Sequence, residues 1–172
     1  MEGGCKSMDN QKDNLVFMEI ANEIKSLHNG AIEHIKKNEY LEASILYRKA
    51  LMITDKISYY EGMAITLFSM SNLAVLVDDI LEAILNAADA KDMFIKAGLT
   101  YEHCDEMLQK LAIAAKKKGI KLEKKGKFQE AIEYYETAIP FADENSSKAM
   151  HHEIELLRRV INDGKRKNSP DA

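Results

Sequence analysis

Turn formers are scarce in this chain. Two prolines and eight glycines in 172 residues are too few for the many tight turns of a sheet-rich protein, and alternating apolar and polar runs are absent. Tryptophan is missing. Only two cysteines occur, Cys5 in a polar terminal stretch and Cys104 in a helical pattern. They are too few for a disulfide framework and too isolated for a zinc site, so reduced thiols are expected. No apolar run approaches the roughly 18 residues of a membrane span, and the first thirty residues lack the basic start and apolar block of a secretory signal. A soluble cytoplasmic protein, with no membrane partner, is the expectation. Glycine-rich phosphate loops, His-Glu-x-x-His and Gly-x-Ser-x-Gly are also missing, which removes common routes to nucleotide, metalloprotease and serine-hydrolase chemistry. His152 and Glu155 would supply at most part of a metal site, since three or four ligands are required. No catalysis and no cofactor are expected.

What is present is 46% apolar and 30% charged sequence, enough for one domain with a continuous core. Apolar residues recur at helical spacing and predict an all-α fold of seven helices, near 14–37, 41–56, 60–78, 80–97, 101–125, 128–142 and 146–163. Residues 1–13 and 164–172 read as loose polar tails around a helical domain at 14–163. Asp13 or Asn14, Thr100, and Asn145 or Ser146 are candidate helix caps, because a short polar side chain there can accept from free amides. Pro140 should end or bend the sixth helix near Ile139. Asp78 and Asp79 follow one another and read as turn and cap residues.

The segment from Asn38 to Leu51 returns, recast, from Gly126 to Ile139: an aromatic, then Glu-Ala, a tyrosine and an alanine occupy matching places. A fainter copy surrounds Asp79-Ile80-Leu81-Glu82-Ala83. The anchors Ala43, Ala83 and Ala131 stand far enough apart for two antiparallel helices and a turn in each unit, the second interval being the longer. Small residues at a close helix crossing let the backbones approach, so Ala43 and Ala50 should face Ala31, and Gly119 should face Ala131 and Ala138.

This pattern resembles the tetratricopeptide repeat. Leu27, Ala31, Tyr40, Ala43, Tyr47 and Ala50 carry the resemblance in the first unit, and Gly119, Leu122, Gly126, Phe128, Ala131, Tyr135 and Ala138 in the third. The second unit keeps Leu67, Ser71, Ala74, Ala83 and Ala90 without the turn glycine or aromatic. The spacings exceed the usual length of that family's repeat, which implies longer helices or an extra turn. The resemblance implies a right-handed solenoid of three helical hairpins closed by a C-terminal capping helix with one wet face. It also implies a partner-binding groove on the concave side, formed by the first helix of each hairpin. Carried onto this chain, the groove positions include His28 and Ile32, then Ile65, Phe68, Asn72 and Val75, then Lys116, Ile120 and Lys124. Such a trough suits a peptide or amphipathic helix of another protein with apolar anchors and an acidic flank; the chain's own cap or tail is the alternative occupant. The clamp by which some members of the family hold chaperone C-termini is broken here, with His28, Ile32, Ser69 and Ile113 at its key places and only Lys117 able to serve.

Charge is unevenly placed. Residues 1–100 carry net −5 and residues 101–172 carry net +1, and Lys117, Lys118, Lys121, Lys124 and Lys125 gather on one helical stripe. That stripe either keeps an outer face in water or attracts an acidic partner. The acidic total and the lack of interleaved aromatics argue against nucleic acid. The segment from Leu111 to Arg159 also resembles the microtubule-interacting-and-transport domain, a three-helix bundle that binds short helices. Self-assembly through hairpin edges or methionine-rich faces (Met63, Met70, Met93) is a further reading, and the oligomeric state is open.

Overall fold

A computed structural model describes the backbone of residues 6–167 and the side chains of residues 16–164. Those residues form seven α-helices: α1 (Lys6–Lys36), α2 (Tyr40–Lys56), α3 (Tyr60–Leu76), α4 (Ile80–Lys96), α5 (Glu102–Glu123), α6 (Phe128–Ala138) and α7 (Glu144–Lys167). A short 3₁₀ turn, Ile139–Phe141, separates the last two. No strand occurs among the described residues. The first helix begins at Lys6 and the last ends at Lys167, so helical backbone enters both segments read from sequence as tails; residues 1–5 and 168–172 lie outside the described part.

The turns explain the repeat spacing. Asn38, Ser58, Asp78 and Gly98 have φ of 61°, 53°, 59° and 70°, and they recur at one constant interval along the chain. At each, the left-handed residue and its successor donate to carbonyls three and five residues back, as in Asn38 N–H to Ile35 O (2.9 Å) and Glu39 N–H to His34 O (2.9 Å). This Schellman arrangement satisfies carbonyls that the helix end would otherwise leave bare. α2, α3 and α4 have the same length, 17 residues, and equally short connections, and two such steps produce the interval from Ala43 to Ala83. The step from Gly98 to the next left-handed residue, Gly126, is longer, because α5 has 22 residues and longer flanking connections. The longer helix supplies most of the difference and the longer connections the rest.

Neighbouring helices pack in chain order, most extensively α1 with α2, α3 with α4 and α5 with α6. Alanines hold the crossings close: Ala31, Ala43, Ala64, Ala83, Ala90, Ala131 and Ala138 are fully buried. Ala31 and Ala43 share a core cluster with Tyr47, as the small-residue argument requires, whereas Ala50 is fully buried outside that cluster. At Gly119 the partner differs from expectation. A Cβ there would lie 2.5 Å from the Tyr135 ring, so glycine makes room for the tyrosine rather than for Ala131 and Ala138. Polar groups stitch the same crossings. Ser71 Oγ, fully buried, donates to Ala83 O at 2.7 Å and ties α3 to α4. α7 buries Met150, Ile154 and Leu157 against the largest core cluster.

The caps depart from the sequence reading. Asp13 and Asn14 lie within α1 rather than before it. α5 starts after Tyr101, not Thr100, without a side-chain cap. Asp143, which precedes both Asn145 and Ser146, accepts from Ser146 N–H at 2.9 Å at the start of α7. Asp78 and Asp79 do act as turn and cap: Asp79 accepts from Glu82 N–H at 3.1 Å. α6 ends at Ala138, where Pro140 admits only the 3₁₀ turn that follows.

Candidate functional site

α1, α3 and α5 are the first helices of the three hairpins, and the nine residues singled out from sequence divide among them. On α1, Ile32 is 44% exposed. His28 is half-buried: its Nε2 lies 2.9 Å from Thr66 Oγ1 and its ring meets Tyr47 edge-on at 5.2 Å. The Thr66 hydroxyl donates to Gly62 O at 2.7 Å, which leaves its oxygen to accept from His28 Nε2–H. Burial lowers the His28 pKa, favouring the neutral ring that this contact uses. His28 thus joins α1, α2 and α3 instead of standing free.

On α3, Phe68, Asn72 and Val75 line one side of a cavity of about 470 Å³, and His103, Met107 and Lys110 of α5 line the other. Phe68 is half-buried, with its ring 4.8 Å from that of His103, which also meets Phe94 at 4.8 Å. Asn72 is exposed and donates to Phe68 O at 3.0 Å. Val75 is exposed beside it, and Ile65, one turn before Phe68, is exposed without lining this cavity.

Lys116 and Ile120 line a second cavity, about 560 Å³, between α5, the 3₁₀ turn and the start of α7. Ile113, Phe141 and Met150 form its apolar part, and Lys117 stands at its edge. Lys116 donates to Ser146 Oγ at 3.4 Å and so links α5 to α7. The two cavities use different faces of α5, so this helix forms the ridge between them. Lys124 is the C-cap of α5, exposed, and lines neither cavity.

The lysine stripe is only partly free. Lys118 reaches across to Asp78 at the turn between α3 and α4. That hydrogen bond and the attraction behind it lower the Asp78 pKa and raise that of Lys118. Lys127 pairs with Glu130 at 2.9 Å, and Glu123 accepts from Tyr135 OH at 2.5 Å. Burial and that bond to a carboxylate push the Tyr135 pKa up. Lys117, Lys121, Lys124 and Lys125 remain exposed.

Sequence reasoning missed His103, Lys110, Phe141 and Met150 as cavity residues. No local signal marked them, since only the packing of α5 against α3 and against the start of α7 brings these side chains to the cavities. Among the described residues no three His, Cys, Asp or Glu side chains converge as metal ligands. No helix among them is long and apolar enough to cross a membrane. Cys104 is buried in α5, and burial pushes its pKa up to about 11. No protein-family profile matches this sequence, and no curated protein matches it significantly.

Proposed function

We propose that this chain is a non-catalytic interaction module, a tetratricopeptide-like stack that receives a peptide or amphipathic helix of another protein along α3, α5 and the start of α7. The supporting observation is the pair of largely apolar cavities that flank the α5 ridge, with Lys110, Lys116 and Lys117 at their edges. Exposed Ile32, Ile65, Val75, Ile113 and Ile120 add apolar anchoring points on α1, α3 and α5. A partner segment with two apolar side chains and an acidic flank fits this chemistry, with shape setting affinity and lysines setting orientation. The packing of α7 mainly on α6, with few contacts to α5, favours a capped stack over a closed three-helix bundle.

Affinity capture from source cells, run beside a Val75→Glu/Ile113→Glu variant, tests this reading. Both positions are exposed, so the variant should keep the wild-type circular dichroism spectrum. The expected result is a protein held by the wild type and lost by the variant, with direct binding of the purified pair weakened at least tenfold. Identical retention by both forms overturns the reading.

A further inference from the structure

α2 turns Ala43, Tyr47, Ala50 and Thr54 into the fold. At about 100° per residue, Leu41, Ile45 and Met52 fall within roughly 40° of one another on the opposite side. They are 70%, 45% and 72% exposed. Leu41 also borders a cleft of about 370 Å³ between α2 and α4, with Met70, Leu73 and Val77 of the α3 end in its lining. One face of this helix therefore carries an apolar projection, Met52, near its C-terminal end and, near its N-terminal end, a cleft of mixed lining in which Arg48, Asp79, Glu82 and Asn86 border the apolar floor. Glu42 and Lys49 lie along one flank of the stripe, about 20° apart. Both are exposed, and neither is paired among the described residues.

We infer that this face is a homotypic interface, in which α2 of one copy lies antiparallel on α2 of a second. A two-fold axis near the midpoint between Ile45 and Arg48 sets the register. It places Met52 of each copy over the cleft beside Leu41 of the other, because the two residues are about 16 Å apart along the helix. Antiparallel pairing brings matching flanks together, so Glu42 of each copy meets Lys49 of the other and the ion pair forms twice. This self-complementarity identifies a second copy, rather than an unrelated protein, as the occupant. Methionine is suited to the role, since its unbranched side chain adapts to an irregular cleft. The contact patch is about 25 Å long and 10 Å wide, on the order of 250 Å² per copy and below the size of stable specific interfaces, so the dimer is a weak, readily dissociating one. α2 lines neither cavity of the proposed partner site, and both copies keep that site open.

Sedimentation equilibrium of the full chain under reducing conditions, from about 1 to 500 µM, gives the test. The expected result is a monomer–dimer equilibrium in that range. Leu41→Glu and Met52→Glu should each abolish the dimer while leaving thermal unfolding of dilute protein unchanged. Lys49→Glu alone should weaken dimerisation at least tenfold, and the exchange Glu42→Lys/Lys49→Glu should restore it. A monomer at every concentration, species larger than a dimer, a dimer indifferent to Met52→Glu, or failure of the charge exchange to restore association would each overturn the inference.

Discussion

Two glycines show how one residue type serves two physical ends. Gly126 sits at φ 72° with open space around it, so Gly126→Ala adds only left-handed strain and should cost about 1 kcal/mol in urea unfolding. Gly119 has helical backbone, but its missing Cβ is where the Tyr135 ring lies. Gly119→Ala should therefore cost more, about 1–3 kcal/mol, through overpacking. Its placement beside a tyrosine was not legible, because the local pattern shows that a small residue is needed and not which ring fills the space. His28 supplies the pH dependence. Its folded pKa lies below the ordinary value of about 6.5, so the unfolded chain takes up this proton more readily. The stability it contributes is complete above about pH 6.5 and is lost as pH falls through that value toward the folded pKa. The loss of unfolding free energy between pH 7.5 and pH 5 should be smaller in His28→Gln than in the wild type, measured by urea denaturation at both pH values.

Among the elements, α2, α3 and α4 form a regular series of 17-residue helices, each entered from a turn with a left-handed residue. Helix number and order were legible because each helix must bury one stripe, and such stripes recur at 3.6-residue spacing whatever lies beside them. Caps were less legible. Thr100, Asn145 and Ser146 have suitable side chains, but capping depends on where the preceding chain turns, and this moved the ends to Tyr101 and Asp143. Asp79, which does cap α4, offers a direct check: Asp79→Ala should lower stability by about 1 kcal/mol and raise amide exchange in the first turn of α4. Cys104 reports on α5. With its thiol buried and its pKa raised to about 11, it should resist alkylation at pH 8 in a Cys5→Ser background until α5 opens.

At the scale of the molecule, each helix is stabilised chiefly by its neighbours in sequence, and loss at an end should spread inward. Met150 is nearly inaccessible in the main core cluster, so Met150→Ala should cost about 2–4 kcal/mol by chemical denaturation. Hydrogen exchange of that variant should show the largest loss of protection in α5, α6 and α7, with α1 and α2 little changed. The candidate site belongs to this scale as well. Phe68, Asn72 and Val75 do share a cavity, and Lys116 and Ile120 share another, although His28 is occupied by Thr66 and Tyr47. Met63, Met70 and Met93, named from sequence as members of one candidate association face, are partly buried, while Met52 is exposed. Composition counts methionines; packing decides which of them meet water.

The sequence by itself determined that this chain is helical, that its units recur around Ala43, Ala83 and Ala131 with a longer second interval, and that small residues mark the close crossings. Those properties follow from periodicity and side-chain size, which act within one or two turns. Only the tertiary structure decided how the added length of α5 is placed, that Lys118 is held by Asp78, and that the apolar residues of α3 and α5 separate into two cavities around one ridge. Each of these depends on the relative position of groups in different helices, fixed by how the helices pack, and local pattern carries no information about distances between them.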